Sequence, residues 1–330
     1  MKLASLPSQN KKNRNGDLIV VSRDNKKAVR VDEGLARNLV EALENWSQVA
    51  PNLLEISHSL NLNKIADSFD LDPKLCLPPI THGPGFYDGS AFLSHVVRAR
   101  KARGDVMPES AKVTPLMYQG VSDCLLSAYS PVDLMDEKFG GDFEGEFAAI
   151  TVDVPKATSA SQAHKYIALF TMFNDITYRE IVKTELETKF GFLQSKPNSA
   201  FAPFVVTPDE LGETWDGKRL SVDIEVQLNG KWFGSPNGRE MHFTFGDLIA
   251  HACRTRPLGA GTIVGTGTIS NESKEKGFAC LTEKRFQEMI EMGKMVTPWL
   301  KPGDRVHIDC KVNGISVFGE IDQTASIVTV

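Results

Sequence analysis

The chain has 330 residues, of which 41% are hydrophobic and 24% are charged, the balance of a globular protein with one large domain or two unequal ones. A net charge of −5 and an isoelectric point near 5.9 argue against nucleic acid as the main partner, because the phosphate backbone favours a basic surface. The five cysteines are scattered and include no Cys-x-x-Cys pair, which indicates a reducing compartment and gives no zinc site.

The beginning of the chain, residues 1–7, lacks the apolar run of a signal peptide. No apolar stretch of the sequence approaches the ~20 residues that a transmembrane helix needs. These features predict a soluble, cytoplasmic protein without a membrane partner.

Residues 1–76 are predicted to form a small α+β domain. A β unit over 16–31 is followed by apolar residues at helical spacing, which predict helices over 35–49 and 52–69. A proline-rich connector comes next. We place the domain boundary there, near residue 76, so that residues 77–330 form a second domain.

The stretch 87–98 is predicted to be a helix that is capped by Asp88 or Ser90, since Asp and Ser are favoured N-cap residues. Asp88 and His95 are seven residues apart, which is two helical turns, so the two side chains would share one face. The alternative interpretation is a capping aspartate followed by an incidental histidine.

Residues 142–152 are apolar enough to form a buried strand, yet Glu144 and Glu146 lie within it. Alternate side chains of a strand leave the same face, so both carboxylates are predicted to point the same way. Two like charges on a partly buried face repel each other, and burying a bare carboxylate is costly. A divalent cation with oxygen ligands is the simplest partner for such a pair.

Two later stretches also place charges next to apolar residues. A helix is predicted over 161–168, and after the next apolar run Asn174 and Asp175 mark a strand end or a turn. Arg179 follows Asp175 by four residues, which also fits a routine helical ion pair. Lys196 stands among small and apolar residues, so its ammonium group either reaches water or lies in a functional cleft.

Strands and tight turns dominate the last third of the sequence, with helices predicted over 245–252 and 280–294. Asn-Gly pairs at 229–230 and 313–314 predict hairpins. The glycines of 259–268 do not have the spacing of a phosphate-binding loop. Because the βαβ alternation of a doubly wound sheet is missing, the second domain is predicted to be a mainly β or mixed α+β roll.

Several stretches, in this order, resemble the fumarylacetoacetate hydrolase superfamily: DFEGEFAAIT at 142–151, FNDITYRE at 173–180, FLQSKPNSAFAPFVVTPDEL at 192–211, DLIAHACRTRPLGAGTIVGTGTIS at 247–270 and WLKPGDRVHID at 299–309. The Glu-x-Glu, Asn-Asp and GTGTIS elements occur together, and this combination is specific for the superfamily. The first 75 residues resemble the small N-terminal domain that many bacterial members carry. The resemblance implies a mixed β roll behind a small N-terminal α+β domain, and a homodimer.

The resemblance also implies a site for Mg²⁺, Ca²⁺ or Mn²⁺. The metal ligands at matching positions are Asp88, Glu144, Glu146 and Asp175. In the fumarylacetoacetate hydrolases the first of these aspartates precedes a catalytic histidine by seven residues, as Asp88 precedes His95 here.

The implied reaction is the hydrolytic cleavage of a carbon–carbon bond in a small β-diketo (dioxo) acid, such as fumarylacetoacetate, fumarylpyruvate or another acylpyruvate. Such acids arise in the catabolism of aromatic compounds, including tyrosine degradation. His95 would take a proton from water and Glu283 would orient the histidine. Lys196 and Arg179 match cationic residues that lie near the developing negative charge.

Tyr118 and Thr268 match residues that contact the substrate in the family. Three other positions depart from the pattern of the fumarylacetoacetate enzymes, since Ser90 replaces a tyrosine, Gln119 a histidine and Val182 a glutamine. The substrate contacts therefore differ more than the metal contacts. Because one fold supports several reactions, the alternative is an oxaloacetate-type decarboxylase, a hydratase or an isomerase. A non-catalytic metal-binding protein is a more remote alternative.

Overall fold

The computed structural model describes residues 1–328. The strands of this part of the chain are β1 Lys2–Leu6, β2 Asp17–Val21, β3 Lys27–Arg30, β4 Phe69–Asp70, β5 Phe86–Gly89, β6 Met117–Gln119, β7 Leu126–Ser127, β8 Val132–Leu134, β9 Gly141–Asp142, β10 Gly145–Thr151, β11 Ile167–Asn174, β12 Thr177–Tyr178, β13 Ala200–Phe201, β14 Val205–Val206, β15 Glu225–Leu228, β16 Lys231–Gly234, β17 Ile263–Gly265, β18 Arg305–Asp309, β19 Lys311–Val312, β20 Ile315–Ser316 and β21 Ile321–Ile327.

The α-helices of the same residues are α1 Leu39–Glu44, α2 Trp46–Asn61, α3 Leu93–Arg103, α4 Ala160–Ala163, α5 Arg179–Thr188, α6 Phe245–Ala252 and α7 Leu281–Met292. Within residues 1–328, none of the helices combines the length and the apolar character that crossing a bilayer requires.

A large sheet of 12 strands organises the molecule, with the order β4-β3-β2-β1-β14-β11-β10-β17-β5-β6 along its main path. A second sheet has five strands, in the order β16-β15-β18-β21-β8. This mixed β architecture with a small N-terminal part confirms the fold class predicted from the sequence. The N-terminal strands extend the large sheet, because Lys2 and Leu3 of β1 pair with Val206 and Val205 of β14. The domain boundary near residue 76 stays a prediction.

Strand β10 is covered on both of its faces, and all of its residues are buried. Phe147 and Ala149 pack into the core of the β roll. Ala148 and Ile150 pack on the opposite side, in a cluster that includes apolar side chains of α1 and α2. A strand that is buried on both faces has a nearly continuous apolar sequence, which explains why Glu146 stands out in β10. Glu144, which the sequence analysis placed in the same strand, lies just before it.

The register of the large sheet brings distant residues of the chain together. β10 pairs with β17, whose Gly265 lies opposite Asp88 of β5. Asp88 in turn lies opposite Tyr118 of β6. Asp175 follows directly after β11, and its N–H donates to the carbonyl of Glu144 at 2.9 Å. The sheet therefore brings these acidic residues to one region, although β17 lies between β10 and β5.

The helix expected over 87–98 begins later than the sequence predicts. α3 starts at Leu93, whereas Asp88 lies in strand β5. Neither Asp88 nor Ser90 caps the helix, so the expectation that Asp88 and His95 share one helical face is wrong. The physical reason is tertiary: β5 is hydrogen-bonded to β17 on one side and to β6 on the other, and this pairing overrides the local capping signal.

Other boundaries differ for similar reasons. The helices expected over 35–49 and 52–69 break at Asn45, where φ is −118° and ψ is 28°, and become α1 and α2. The helix expected over 161–168 is reduced to the single turn of α4, because the chain enters the large sheet at Ile167.

Candidate active site

A cleft of about 590 Å³ is lined by residues of β5, β6, β10, α3 and α5 together with neighbouring loops. Most of the site residues predicted from the sequence line this cleft: Asp88, His95, Tyr118, Glu144, Glu146, Arg179, Lys196 and Thr268. The other two lie behind the lining, where Asp175 contacts Tyr118 and Glu283 faces His95. The fold therefore collects the predicted residues at one place.

Asp88, Glu146 and Asp175 form an acidic triad. One carboxylate oxygen from each lies within 4.8 Å of the others, and all three side chains are buried. Asp175 has partners, since Tyr118 donates its hydroxyl at 2.8 Å to Oδ2 and Ser199 donates at 2.6 Å to Oδ1. Glu146 is different, because neither of its carboxylate oxygens has a hydrogen-bond partner among the described residues.

The triad carries an unfavourable concentration of negative charge. Burial, and then the Asp175 carboxylate, raise the pKa of Asp88 to about 7. Burial, and then the Asp88 carboxylate, raise the pKa of Glu146 well above its usual range. A divalent cation relieves such repulsion, and carboxylate oxygens are ligands that Mg²⁺, Ca²⁺ and Mn²⁺ prefer. The donor set and the unpartnered oxygens of Glu146 therefore fit an ion of this kind.

Glu144 lies in the short link between β9 and β10 and is bound by cations. Arg179 Nη2 donates to its Oε1 at 2.6 Å, and Lys196 Nζ donates to its Oε2 at 2.6 Å. Burial alone would raise the pKa of Glu144, but Arg179 and Lys196 outweigh it and hold this pKa well below its usual range. The Thr268 hydroxyl adds a donor at 2.5 Å. The structure thus gives Glu144 and Glu146 opposite surroundings, and metal ligation by Glu144 stays a prediction.

Lys196 directs its ammonium group at three partners within the site. Its Nζ lies 2.6 Å from Glu144 Oε2, 2.5 Å from Asp175 Oδ2 and 2.8 Å from Thr177 Oγ1. Burial alone would lower the pKa of Lys196, but the carboxylates of Asp175 and Glu144 outweigh it and raise this pKa above its usual value. An ammonium group has three donors, so these contacts engage all of them.

Asp142 is a buried carboxylate that the sequence analysis did not assign to the site. Its Oδ2 accepts a hydrogen bond from Arg179 Nε at 2.8 Å. Its two oxygens also accept the backbone N–H groups of Leu281, at 2.8 Å, and Thr282, at 3.0 Å. Asp142 therefore fixes Arg179 against the first turn of α7. The only local signal for this role is a charged residue at the start of a buried stretch.

His95 lines the cleft and faces Glu283, which lies behind the lining. His95 Nδ1 lies 3.8 Å from Glu283 Oε2, which is longer than a hydrogen bond. Neither of these atoms has a hydrogen-bond partner in the part of the chain that the structure describes. The other oxygen of Glu283 accepts from Arg98 Nη1 at 2.7 Å and from Ser270 Oγ at 2.5 Å. The sequence analysis missed Arg98 and Ser270.

Two family models cover most of the chain. The model described as fumarylacetoacetate (FAA) hydrolase C-terminal matches residues 86–324, and fumarylacetoacetase N-terminal domain 2 matches residues 1–81. The chain belongs to the fumarylacetoacetate hydrolase family. This result confirms the family that the sequence motifs resemble.

Relatives within this family differ in the reactions that their names state. The chain is 24% identical to 2-dehydro-3-deoxy-D-arabinonate dehydratase of Saccharolobus solfataricus, over 83% of this chain and 90% of that protein. It is also 24% identical to 2,4-didehydro-3-deoxy-L-rhamnonate hydrolase of a Sphingomonas species, over 58% of this chain and 68% of that protein. The protein is therefore an enzyme of a family that includes both dehydratases and hydrolases.

Solved structures show the same fold at low sequence identity. The fumarylacetoacetate hydrolase of psychrophilic Exiguobacterium antarcticum superimposes with a TM-score of 0.64 at 16% identity, over 99% of this chain and 100% of that chain. The likeness extends over the N-terminal strands as well as the β roll.

Proposed function

We propose that this protein is a divalent-metal-dependent hydrolase that cleaves a carbon–carbon bond in a small dioxo acid, such as an acylpyruvate, in the catabolism of aromatic compounds. One observation carries the proposal: a single cleft combines an acidic triad that includes the unpartnered Glu146 with the histidine–glutamate pair of His95 and Glu283. Hydrolysis of a diketone needs both a site that polarises carbonyl groups and a base that activates water.

The acidic triad would hold the ion, with Asp88, Glu146 and Asp175 as ligands and Glu144 as a candidate fourth. When bound, such an ion supplies Lewis-acid polarisation of the substrate carbonyl groups and neutralises developing negative charge. Mg²⁺, Ca²⁺ and Mn²⁺ all accept carboxylate oxygens, so each of them suits this donor set.

The protein groups then account for the proton movements. His95 takes a proton from water while Glu283 stabilises the imidazolium that forms. The hydroxide attacks a carbonyl carbon, the carbon–carbon bond breaks, and its electron pair leaves with the second fragment as an enolate. The imidazolium returns the proton to that fragment, which restores the neutral histidine. Lys196 and Arg179 supply positive charge near the developing anion.

A non-hydrolytic reaction is the second candidate. One observation favours it, because the dehydratase relative aligns over 83% of the chain and the hydrolase relative over 58%. An oxaloacetate-type decarboxylase, a hydratase or an isomerase would use the ion and the nearby cations to stabilise an enolate. Decarboxylation would need no pair of residues that activates water.

The test is a panel of acids assayed with Mg²⁺ and with EDTA: acylpyruvates, fumarylpyruvate, fumarylacetoacetate and oxaloacetate. We expect cleavage of a dioxo acid that EDTA abolishes and that His95→Gln slows by about 10²–10⁴-fold, the usual contribution of a general base. Decarboxylation of oxaloacetate that persists in His95→Gln, without dioxo-acid cleavage by the native protein, would favour the second candidate. No turnover and no calorimetric binding of Mg²⁺, Mn²⁺ or Ca²⁺ would favour a non-catalytic protein.

The proposal includes a cytoplasmic homodimer. The five cysteines are free, which supports a reducing compartment. Light scattering of the purified protein tests the dimer: we expect twice the 36.3 kDa of one chain, and the mass of a single chain would refute it.

A further inference from the structure

Arg98 is a buried arginine that lies one helical turn after His95 on α3. Its side chain is only 9% exposed, although arginine is rarely buried without partners. Its Nη1 donates to Glu283 Oε1 at 2.7 Å and to Ser270 Oγ at 3.1 Å. Arg98 is not among the residues that line the cleft, so it reaches the histidine–glutamate pair from behind and not from the substrate side.

The other nitrogens of this guanidinium, Nη2 and Nε, also have hydrogen-bond partners. Nη2 donates to the backbone carbonyl of Glu272 at 2.8 Å, and Nε donates to Gln287 Oε1 at 3.3 Å. The Phe278 ring lies beside the cation, 5.8 Å from the guanidinium carbon. A planar guanidinium held on several edges cannot rotate without breaking several contacts. Arg98 therefore ties the helix of the histidine to the helix of the glutamate.

Both donors that hold Glu283 bind the same oxygen. Arg98 and Ser270 donate to Oε1, which leaves Oε2 facing His95 Nδ1 at 3.8 Å. At 3.8 Å the carboxylate does not form a hydrogen bond with Nδ1, but its negative charge beside this nitrogen favours the tautomer with the proton on Nδ1. The other ring nitrogen, Nε2, is then unprotonated and able to accept a proton from water.

We propose that Arg98 is a positioning residue that fixes the rotamer of Glu283 and, through it, the tautomer of His95. This inference rests on the proposed function, because the tautomer matters for the reaction only if His95 accepts a proton. The competing explanation is a purely structural tie between α3 and α7. Such a tie would affect stability but would not set the tautomer.

The direct test needs no substrate. The protein has seven histidines, and in ¹⁵N-histidine-labelled protein the His95 signal is the one that His95→Gln removes. At pH 8.5, about two units above the usual imidazole pKa of ~6.5, two-bond ¹H–¹⁵N spectra distinguish the two neutral tautomers. We expect one tautomer, protonated on Nδ1, in the native protein and a mixture in Arg98→Met. A single unchanged tautomer in Arg98→Met would overturn the proposal.

Kinetics on whichever acid the panel identifies give a second readout. Arg98→Met should lower kcat by about 10–100-fold, the usual loss when a supporting hydrogen-bond partner is removed, and leave KM within about twofold. Arg98→Lys should recover part of kcat, because lysine keeps the positive charge but lacks the planar set of N–H donors of the guanidinium. Lys101→Met is the matched control, since it removes a charge from an exposed position of the same helix, and its kcat should not change.

A double variant separates positioning from a structural tie. If Arg98 acts only through Glu283, then Arg98→Met combined with Glu283→Gln should be no slower than Glu283→Gln alone. Losses that multiply would overturn the proposal. Should Arg98→Met fail to fold, Arg98→Gln replaces it in the tautomer experiment with the same expected mixture and the same refuting result. If the panel yields no substrate, the proposed function fails, while the tautomer comparison still decides the role of Arg98.

Discussion

Replacing Glu146 by glutamine is expected to stabilise the metal-free protein and to abolish its thermal response to Mg²⁺. Glu146 is fully buried, and its carboxylate has no hydrogen-bond partner within residues 1–328. Burial and the neighbouring carboxylates of Asp88 and Asp175 raise its pKa above the ordinary 4.5. The folded metal-free protein therefore keeps a proton that the unfolded chain releases.

The sign and size of the effect follow from this difference in proton binding. A carboxyl group whose pKa is raised by folding destabilises the folded state as the pH rises above the unfolded pKa, by about 1.4 kcal/mol per pH unit. For 330 residues, the entropy of unfolding is about 0.7 kcal/mol/K. Each pH unit should therefore lower the Tm of the metal-free native protein by about 2 °C relative to Glu146→Gln. Mg²⁺ at a hundred times its Kd adds about 2.7 kcal/mol, or about 4 °C, to the native protein alone.

Scanning calorimetry at pH 5, 6 and 7, with EDTA and with Mg²⁺, measures both effects. The Tm difference between the metal-free proteins should widen with pH over this range, by at most about 4 °C, and only the native protein should gain stability from Mg²⁺. Glu55→Gln is the matched control, because Glu55 is exposed on α2 and this variant should follow the native protein throughout. A Glu146→Gln protein with the full Mg²⁺ response, or a Tm difference that does not grow with pH, would refute the reasoning.

The same site makes three other perturbations informative. Burial and the neighbouring Asp175 carboxylate raise the pKa of Asp88 to about 7, and a ligating carboxylate must be deprotonated, so calorimetric Mg²⁺ affinity should rise from pH 5 to pH 7. In Gly265→Ala the new Cβ would lie 2.4 Å from Asp88 Oδ1, and Mg²⁺ should bind about tenfold or more weakly in titration calorimetry. Lys196→Met removes the cation between Glu144 and Asp175, which costs about 3–5 kcal/mol and should lower Tm in thermal melts by about 4–7 °C.

Three acidic residues of the site could be predicted from the sequence because they interrupt or directly follow an apolar run. Glu144 and Glu146 stand out in a stretch that is otherwise apolar, and Asp175 ends the apolar strand β11. Alternation along a strand states which side chains leave the same face. This alternation does not predict which charged side chains lie opposite that face, because those side chains belong to other strands. The two glutamates therefore look equivalent in the sequence, whereas the fold gives their carboxylates different surroundings.

Residues whose roles depend on distant partners could not be found in this way. Arg98 binds Glu283, which is 185 residues away along the chain, and Asp142 binds the backbone of Leu281, 139 residues away. An arginine in a charged helical stretch has the pattern of a solvent-exposed residue. For Asp88 the local pattern predicts a helix cap, which is wrong because Asp88 lies in β5. Its prediction as a metal ligand comes from the family motif and stays a prediction.

Glu144 and Glu146 are two residues apart, yet the fold gives their carboxylates different surroundings. Arg179 and Lys196 neutralise Glu144, so this carboxylate is already satisfied without an ion. Glu146 is buried beside the carboxylates of Asp88 and Asp175 and lacks a hydrogen-bond partner in the described chain, so a bound cation would stabilise it more than Glu144. Lys196 connects the two environments, because it binds Glu144 and also Asp175 of the triad. Its charge offsets part of the repulsion that the triad would otherwise exert on the fold, which explains how so acidic a cleft can form before any ion binds.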